Sequence, residues 1–224
     1  MIFLVLQKID DSKVQFMVLK KYLQFDIILI AVIHLAGIIG IRFVSPEIFL
    51  KTSFVSIVIP LGLYMYRTKP NFSNYLILLL VYFVTFFSEW IGVNFSYLFG
   101  NYEYGNSLGL KIDGVPILIG LNWVLLAVVS REISANFFSN KWIIILISSV
   151  MMVLIDSVIE PISEKLDFWT WENSIIPFSN YKDWFLVALI NQWLLSFIKS
   201  EKDMFHWSLA YLIILILFFA SFYI

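Results

Sequence analysis

Seven stretches of this sequence read as helices that cross a membrane: residues 22–44, 51–67, 74–98, 116–132, 141–160, 183–198 and 205–224. A span needs about 20 mostly apolar residues, within a range of roughly 17–25. Pro60 interrupts the second run. The runs are continuous rather than alternating, which indicates helices and not a barrel. Little chain is left over for a water-facing surface. The chain is 61% hydrophobic and 14% charged, against roughly 45–50% apolar and about 25% charged in a soluble domain. One core cannot hide that excess. The expected fold is an all-α, polytopic transmembrane helix bundle of about seven spans. Residues 22–224 form one domain, and residues 1–21 are an N-terminal flank. A secretory signal peptide is not expected, because the run at residues 1–6 is too short and lysines follow it.

Lysine and arginine set the expected orientation. Loops on the N-terminal side hold Lys8, Lys13, Lys20, Lys21, Arg67, Lys69, Arg131, Lys141, Lys199 and Lys202. The opposite side holds Arg42, Lys51, Lys111, Lys165 and Lys182. Ten against five favours a cytoplasmic N-terminus. The net charge of −1 gives nucleic acid no basic face to bind.

Two long loops, 99–115 and 161–182, fall on the non-cytoplasmic side under this topology. The first carries four of the nine glycines, which permit tight turns and close backbone approach. Its tyrosines also suit an interfacial belt. The second holds Trp169 and Trp171, whose rings can stabilise a cation or anchor a helix at the interface. Near the same side lie Glu89 in the third run, Asn122 in the fourth, and Asp156 and Glu160 at the end of the fifth. The last two are one helical turn apart and share a face. A carboxylate near the bilayer centre costs roughly 2.5–3.5 kcal/mol on insertion scales. It is retained for function or for a contact between helices. Three such carboxylates, Asn122 and both long loops in one leaflet favour function. Two acids in a poorly solvated site cannot both ionise easily, so one is expected to hold a proton. Acid-initiated alkene chemistry needs such a group.

Several classes are excluded or disfavoured. Two histidines, His34 and His206, are too few for a membrane di-iron oxygenase. No cysteine is present, so thiolate metal sites and cysteine nucleophiles are absent. No glycine-rich dinucleotide fingerprint follows a strand. The last run contains no lysine for a retinal Schiff base. Asp156 and Glu160 have the spacing of a weak magnesium motif, but a prenyltransferase would want a second cluster and several cations.

Short motifs now occur in a telling order: Ser88-Glu89-Trp90-Ile91-Gly92-Val93, Leu98-Phe99-Gly100-Asn101-Tyr102-Glu103-Tyr104-Gly105, Gly114-Val115-Pro116 and Asn122-Trp123. Asp156-Ser157-Val158-Ile159-Glu160-Pro161, Trp169-Thr170-Trp171 and Ile176-Pro177-Phe178-Ser179-Asn180-Tyr181 follow. This pattern resembles the carotenoid biosynthesis membrane family that contains the carotenoid 1,2-hydratases. The resemblance runs from about Ser88 to Trp184. Ser163 and Glu164 depart from the small apolar residues associated with the family after the Glu-Pro step. The resemblance implies hydration of the C1–C2 double bond of an acyclic ψ-end group, giving a tertiary alcohol, with no cofactor and no metal. The expected acid–base groups are Glu89, Asp156 and Glu160. The residues expected around the substrate are Trp90, Tyr102, Tyr104, Asn122, Trp123, Trp169, Trp171 and Asn180. The expected partners are a lipophilic carotenoid, the lipid bilayer of the cell membrane and other enzymes of the pathway. An end-group cyclase or isomerase, and a proton-coupled transporter, remain the alternatives.

Overall fold

The computed structural model describes residues 25–223. The N-terminal flank and the start of the first run lie outside them. Helix α1, Phe25–Val44, closes in a π-helical stretch, Gly40–Val44. A Cβ on Gly40 would sit 2.0 Å from the Phe49 ring, so only glycine lets the chain double back here. Pro46 then opens helix α2, Pro46–Lys51, which leads within two residues into α3, Ser53–Thr68. Pro60 is accommodated inside α3. Arg67 forms a forked ion pair with buried Asp26, 2.6 and 2.7 Å, and ties α3 to α1.

Helix α4, Phe72–Phe95, is capped by Asn71, whose side chain accepts from the Asn74 amide. It ends at Ser96 in the left-handed region, φ 54°. Helices α5, Ile117–Phe137, and α6, Lys141–Ile159, follow. Helix α7, Phe178–Leu195, and helix α8, Phe205–Ala220, complete the bundle. Helix α5 packs against α3, α4, α6, α7 and α8 and is buried nearly all round. A helix apolar on every side belongs at the centre. The outer helices turn rings and branched chains outward, among them Phe25, Val32, Phe43, Phe72, Leu79 and Leu154. Such a surface fits lipid rather than water.

Five segments are long and apolar enough to cross a membrane: Phe25–Val44, Pro46–Thr68, Phe72–Phe95, Ile117–Phe137 and Lys141–Ile162. The other two expected runs are also helical. Helix α8 has 16 residues, about 24 Å at 1.5 Å per residue. Helix α7 buries Asn180, Asp183, Asn191 and Gln192, which lowers its hydropathy. The fourth run was expected to stop at residue 132, with Arg131 counted among loop charges. Instead α5 continues to Phe137, and Arg131 and Glu132 are both buried within it. Their partners come from the chain after α7 and from Tyr64 of α3. Arg131 donates to the Ile198 carbonyl at 3.1 Å. Glu132 accepts from Ser200 at 2.5 Å, the Glu201 amide at 2.9 Å and Tyr64 at 2.9 Å.

The all-α expectation misses two small antiparallel ribbons. Strand β1, Tyr102–Tyr104, pairs with β4, Trp169–Trp171, in the register Tyr102↔Trp171, Glu103↔Thr170 and Tyr104↔Trp169. Strand β2, Lys111–Ile112, pairs with β3, Val115–Pro116. The β1–β4 ribbon joins the two long loops at one end of the bundle. The two loops approach tightly at Gly105, where a Cβ would lie 2.3 Å from the Asp167 carbonyl oxygen.

Candidate active site

The period of two along β1 and β4 decides which ribbon side chains meet the helices. Tyr102, Tyr104, Trp169 and Trp171 point inward, and Glu103 points out. Beneath them lie Glu89 from α4 and Asp156 from α6. Glu160 sits in the 3₁₀ turn that Pro161 imposes on the end of α6. Asn180 and Trp184 come from the first two turns of α7, and Trp123 from α5. Together they enclose a cavity of about 20 Å³. The three carboxyl groups are 2–4% exposed.

Every carboxyl group has a defined partner. Tyr102 donates its hydroxyl to Glu89, and Tyr104 is a second neighbour of that carboxylate. Burial, with Glu89 alongside, pushes both tyrosine hydroxyls well above their ordinary range. They therefore remain donors at any physiological pH. Trp169 and Trp171 donate their indole N–H groups to the same oxygen of Glu160, at 3.0 and 2.7 Å. Asn180 donates to the other oxygen at 2.5 Å and to Asp156 at 3.5 Å. Asp156 and Glu160 also contact each other. Glu160 thus collects three N–H donors, whereas Asp156 has one long contact and its neighbour carboxyl.

The aromatic wall is a stack. Phe99, Trp184 and Trp123 lie face to face, with centroids 4.5 and 3.7 Å apart. The loop is pinned there: the Phe99 amide donates to Asp183 at 2.9 Å, and Ser179 donates to the Phe99 carbonyl at 3.0 Å. Gly92 makes room. A Cβ on it would stand 2.7 Å from the Tyr102 hydroxyl and 2.8 Å from the Phe99 ring.

Of the residues expected in the site, Glu89, Asp156, Glu160, Tyr102, Tyr104, Trp123, Trp169, Trp171 and Asn180 line this one cavity. Trp90 and Asn122 do not. Successive helical residues are about 100° apart, so Glu89 facing inward sends Trp90 outward, where its N–H donates to Asp113 at 3.1 Å. By the same rotation Trp123 faces the carboxyl groups, and Asn122 lines the cavity next door. Sequence reasoning missed Phe99, Trp184 and Gly92 as site-builders. It also missed Glu132, which was read as a helix end. Among the described residues, no group of three His, Cys, Asp or Glu side chains is arranged to hold a metal ion.

Fold and site together define a helical membrane protein with a carboxyl cluster roofed by aromatic donors. The sequence profile of the carotenoid biosynthesis protein family matches residues 50–224, and the chain belongs to that family. Its role therefore lies in carotenoid biosynthesis. No curated protein and no solved structure matches the chain.

Proposed function

We propose that this protein is a carotenoid hydratase that adds water across the C1–C2 double bond of an acyclic ψ-end group. The observation that carries the proposal is the enclosure of Glu89, Asp156 and Glu160 with four ribbon aromatics in one cavity. Hydrogen bonds to a carboxylate favour its ionised form. Glu160, with three N–H donors, is the anion, and Asp156 carries the proton. Asp156 gives that proton to C2, and the π pair of the C1–C2 bond forms the new C2–H bond. The tertiary cation left at C1 lies among the rings of Trp169, Trp171 and Tyr102, whose faces attract it when desolvated. Water forms the C1–O bond and gives one proton back to the carboxyl groups, with Glu89 orienting it. The net change is the gain of one water, and no electrons are exchanged. A polyene dissolved in the bilayer reaches the site laterally, between apolar helix faces. At about 20 Å³ the closed cavity holds a water but not an end group, so the β1–β4 ribbon lifts to admit it.

The chain crosses the cell membrane with its ribbon end outside the cytoplasm, as seven helical passes from a cytoplasmic N-terminus. Expression in a host that makes lycopene or γ-carotene, with mass analysis of the pigments, tests the function. Hydration adds one water, an end-group cyclase or isomerase leaves the mass unchanged, and a transporter leaves the pigment unchanged. Purified protein is expected to work anaerobically and with a chelator present. Activity that requires added magnesium would favour a prenyltransferase. One observation favours a proton-coupled transporter. Another buried carboxylate, Glu132, stands at the other end of α5, and buried Thr85, Asn191 and Gln192 lie between the ends.

A further inference from the structure

A second cavity adjoins the carboxyl site, and Ile119 and Trp169 line both. It measures about 50 Å³ and its walls are mainly apolar, with Phe168, Leu215 and Phe219 among them. Several polar side chains break that surface, among them His34 from α1 and Tyr211 from α8. They are 3% and 1% exposed. The imidazole Nδ1 of His34 meets the Ile30 carbonyl at 2.8 Å, which assigns the proton of the neutral ring to Nδ1 and leaves Nε2 as an acceptor. Nε2 has no hydrogen-bond partner among the described residues, and neither does the Tyr211 hydroxyl. The two rings lie nearly perpendicular with centroids 6.3 Å apart. An acceptor and a donor–acceptor thus border one buried space. Leaving buried polar groups unmet is costly, so a partner is called for at both. Ser53, Ser56 and Asn122 supply further polar groups, and both serine hydroxyls already donate to backbone carbonyls of their own segment.

We propose that this cavity is the water store of the reaction, with His34 and Tyr211 holding the water that adds to C1. The inference rests on the hydratase reading. Volume decides between occupants. A water needs roughly 10–15 Å³ of such space, so about 50 Å³ admits a few waters but no branched hydrocarbon end. Chemistry supplies the need. An end group entering the carboxyl cavity displaces whatever water stood there, and the hydrocarbon interior offers no ready replacement. A cation formed beside Trp169 then meets water from the far side of that ring's wall. His34 and Tyr211 are positioning residues, since they touch the water and not the carotenoid.

The experiment separates making the cation from capturing it. Membranes holding the protein are incubated with lycopene in D₂O. A cation formed by deuteron transfer to C2 either takes D₂O and becomes alcohol or loses a proton and returns as alkene. The returned alkene carries deuterium whenever the departing proton is not the one just added. Tyr211→Phe keeps the ring and removes the hydroxyl. It is expected to cut alcohol by about ten-fold or more, while deuterium in recovered lycopene holds or rises. His34→Asn, which restores a polar group, is expected to recover part of the alcohol that His34→Phe loses. A parallel fall in alcohol and exchange, or no change in their ratio, overturns the proposal. If the wild-type chain makes neither alcohol nor exchanged alkene, the hydratase reading itself fails. The store is also tested without activity. A high-resolution structure is expected to show water bonded to His34 Nε2 and Tyr211, lost in Tyr211→Phe. A lipid chain or a dry cavity there overturns the assignment.

Discussion

Tyr102 reaches back thirteen residues to donate its hydroxyl to Glu89, and it does so over the bare backbone of Gly92. That one contact joins ribbon to helix and roof to acid. It depends on three local facts: the left-handed end of α4 at Ser96, the alternation along β1, and the missing Cβ at position 92.

The roof is therefore expected to be sensitive at two positions. Tyr102→Phe removes a donor to a buried carboxylate, an interaction worth roughly 1.5–3 kcal/mol. Hydration should fall by about ten- to hundred-fold. Gly92→Val forces the ribbon outward, and a misplacement on the order of 1 Å can cost about 10²-fold. Pigment turnover per folded protein measures both. Normal turnover in Gly92→Val would show that the roof has no part in the reaction.

Replacing a carboxyl by its amide keeps the shape and removes the transferable proton. Asp156→Asn is expected to lose about 10²–10⁴-fold in rate, with Glu160→Gln and Glu89→Gln also impaired. Glu103 is exposed on the outer face of the ribbon, and Glu172 accepts from Asn101 at 2.7 Å at the surface. Glu103→Gln and Glu172→Gln should stay near wild type. Near-normal turnover in all three buried variants would make the carboxyl groups contacts between helices and nothing more.

The acids were legible in the sequence because ionisable groups inside apolar runs are costly and stand out. The helices were legible for the same reason in reverse. What stayed hidden depended on partners remote in sequence. Three-residue strands carry almost no pattern, and Tyr104 pairs with Trp169 across the whole length of α5 and α6. Arg131 and Glu132 looked like the end of a span because their partners, Ile198, Ser200 and Glu201, come more than sixty residues later. Trp90 and Asn122 were misplaced by one residue's rotation. A motif names a neighbourhood, but a helix turns adjacent residues to different sides.

The Glu132 cluster is expected to serve stability rather than reaction. Its three donors fasten the α7–α8 connection to α5 and α3. Glu132→Ala leaves Tyr64 and the Glu201 amide without their acceptor, a loss of roughly 1–3 kcal/mol for a buried group. Thermal unfolding of detergent-purified protein should shift down, and hydration per folded molecule should hold. A stable Glu132→Ala protein that no longer turns over pigment would instead tie this end of the bundle to proton movement, as the transporter reading requires.

The topology is open to a direct test. Strand pairing places both long loops at one end of the bundle, and the Glu132 cluster, at the α5 C-terminus, marks the other. Setting aside Arg42, Lys51, Arg67, Arg131, Lys141 and Lys182, which lie within helices α1 to α7, turns the ten-to-five bias into seven against two, which points the same way. A reporter fused after Gly105 should therefore report a non-cytoplasmic position, and one fused after Lys199 a cytoplasmic one. The difference arises because an odd number of crossings, α5 to α7, separates the two points. Helix α7 is the doubtful member on hydropathy alone, since Asn180, Asp183, Asn191 and Gln192 interrupt it. Their burial against α4, α5 and α6 removes the objection, because lipid never meets them. Reporters on the same side of the membrane would show that α7 does not cross, and the seven-pass arrangement would fall with it.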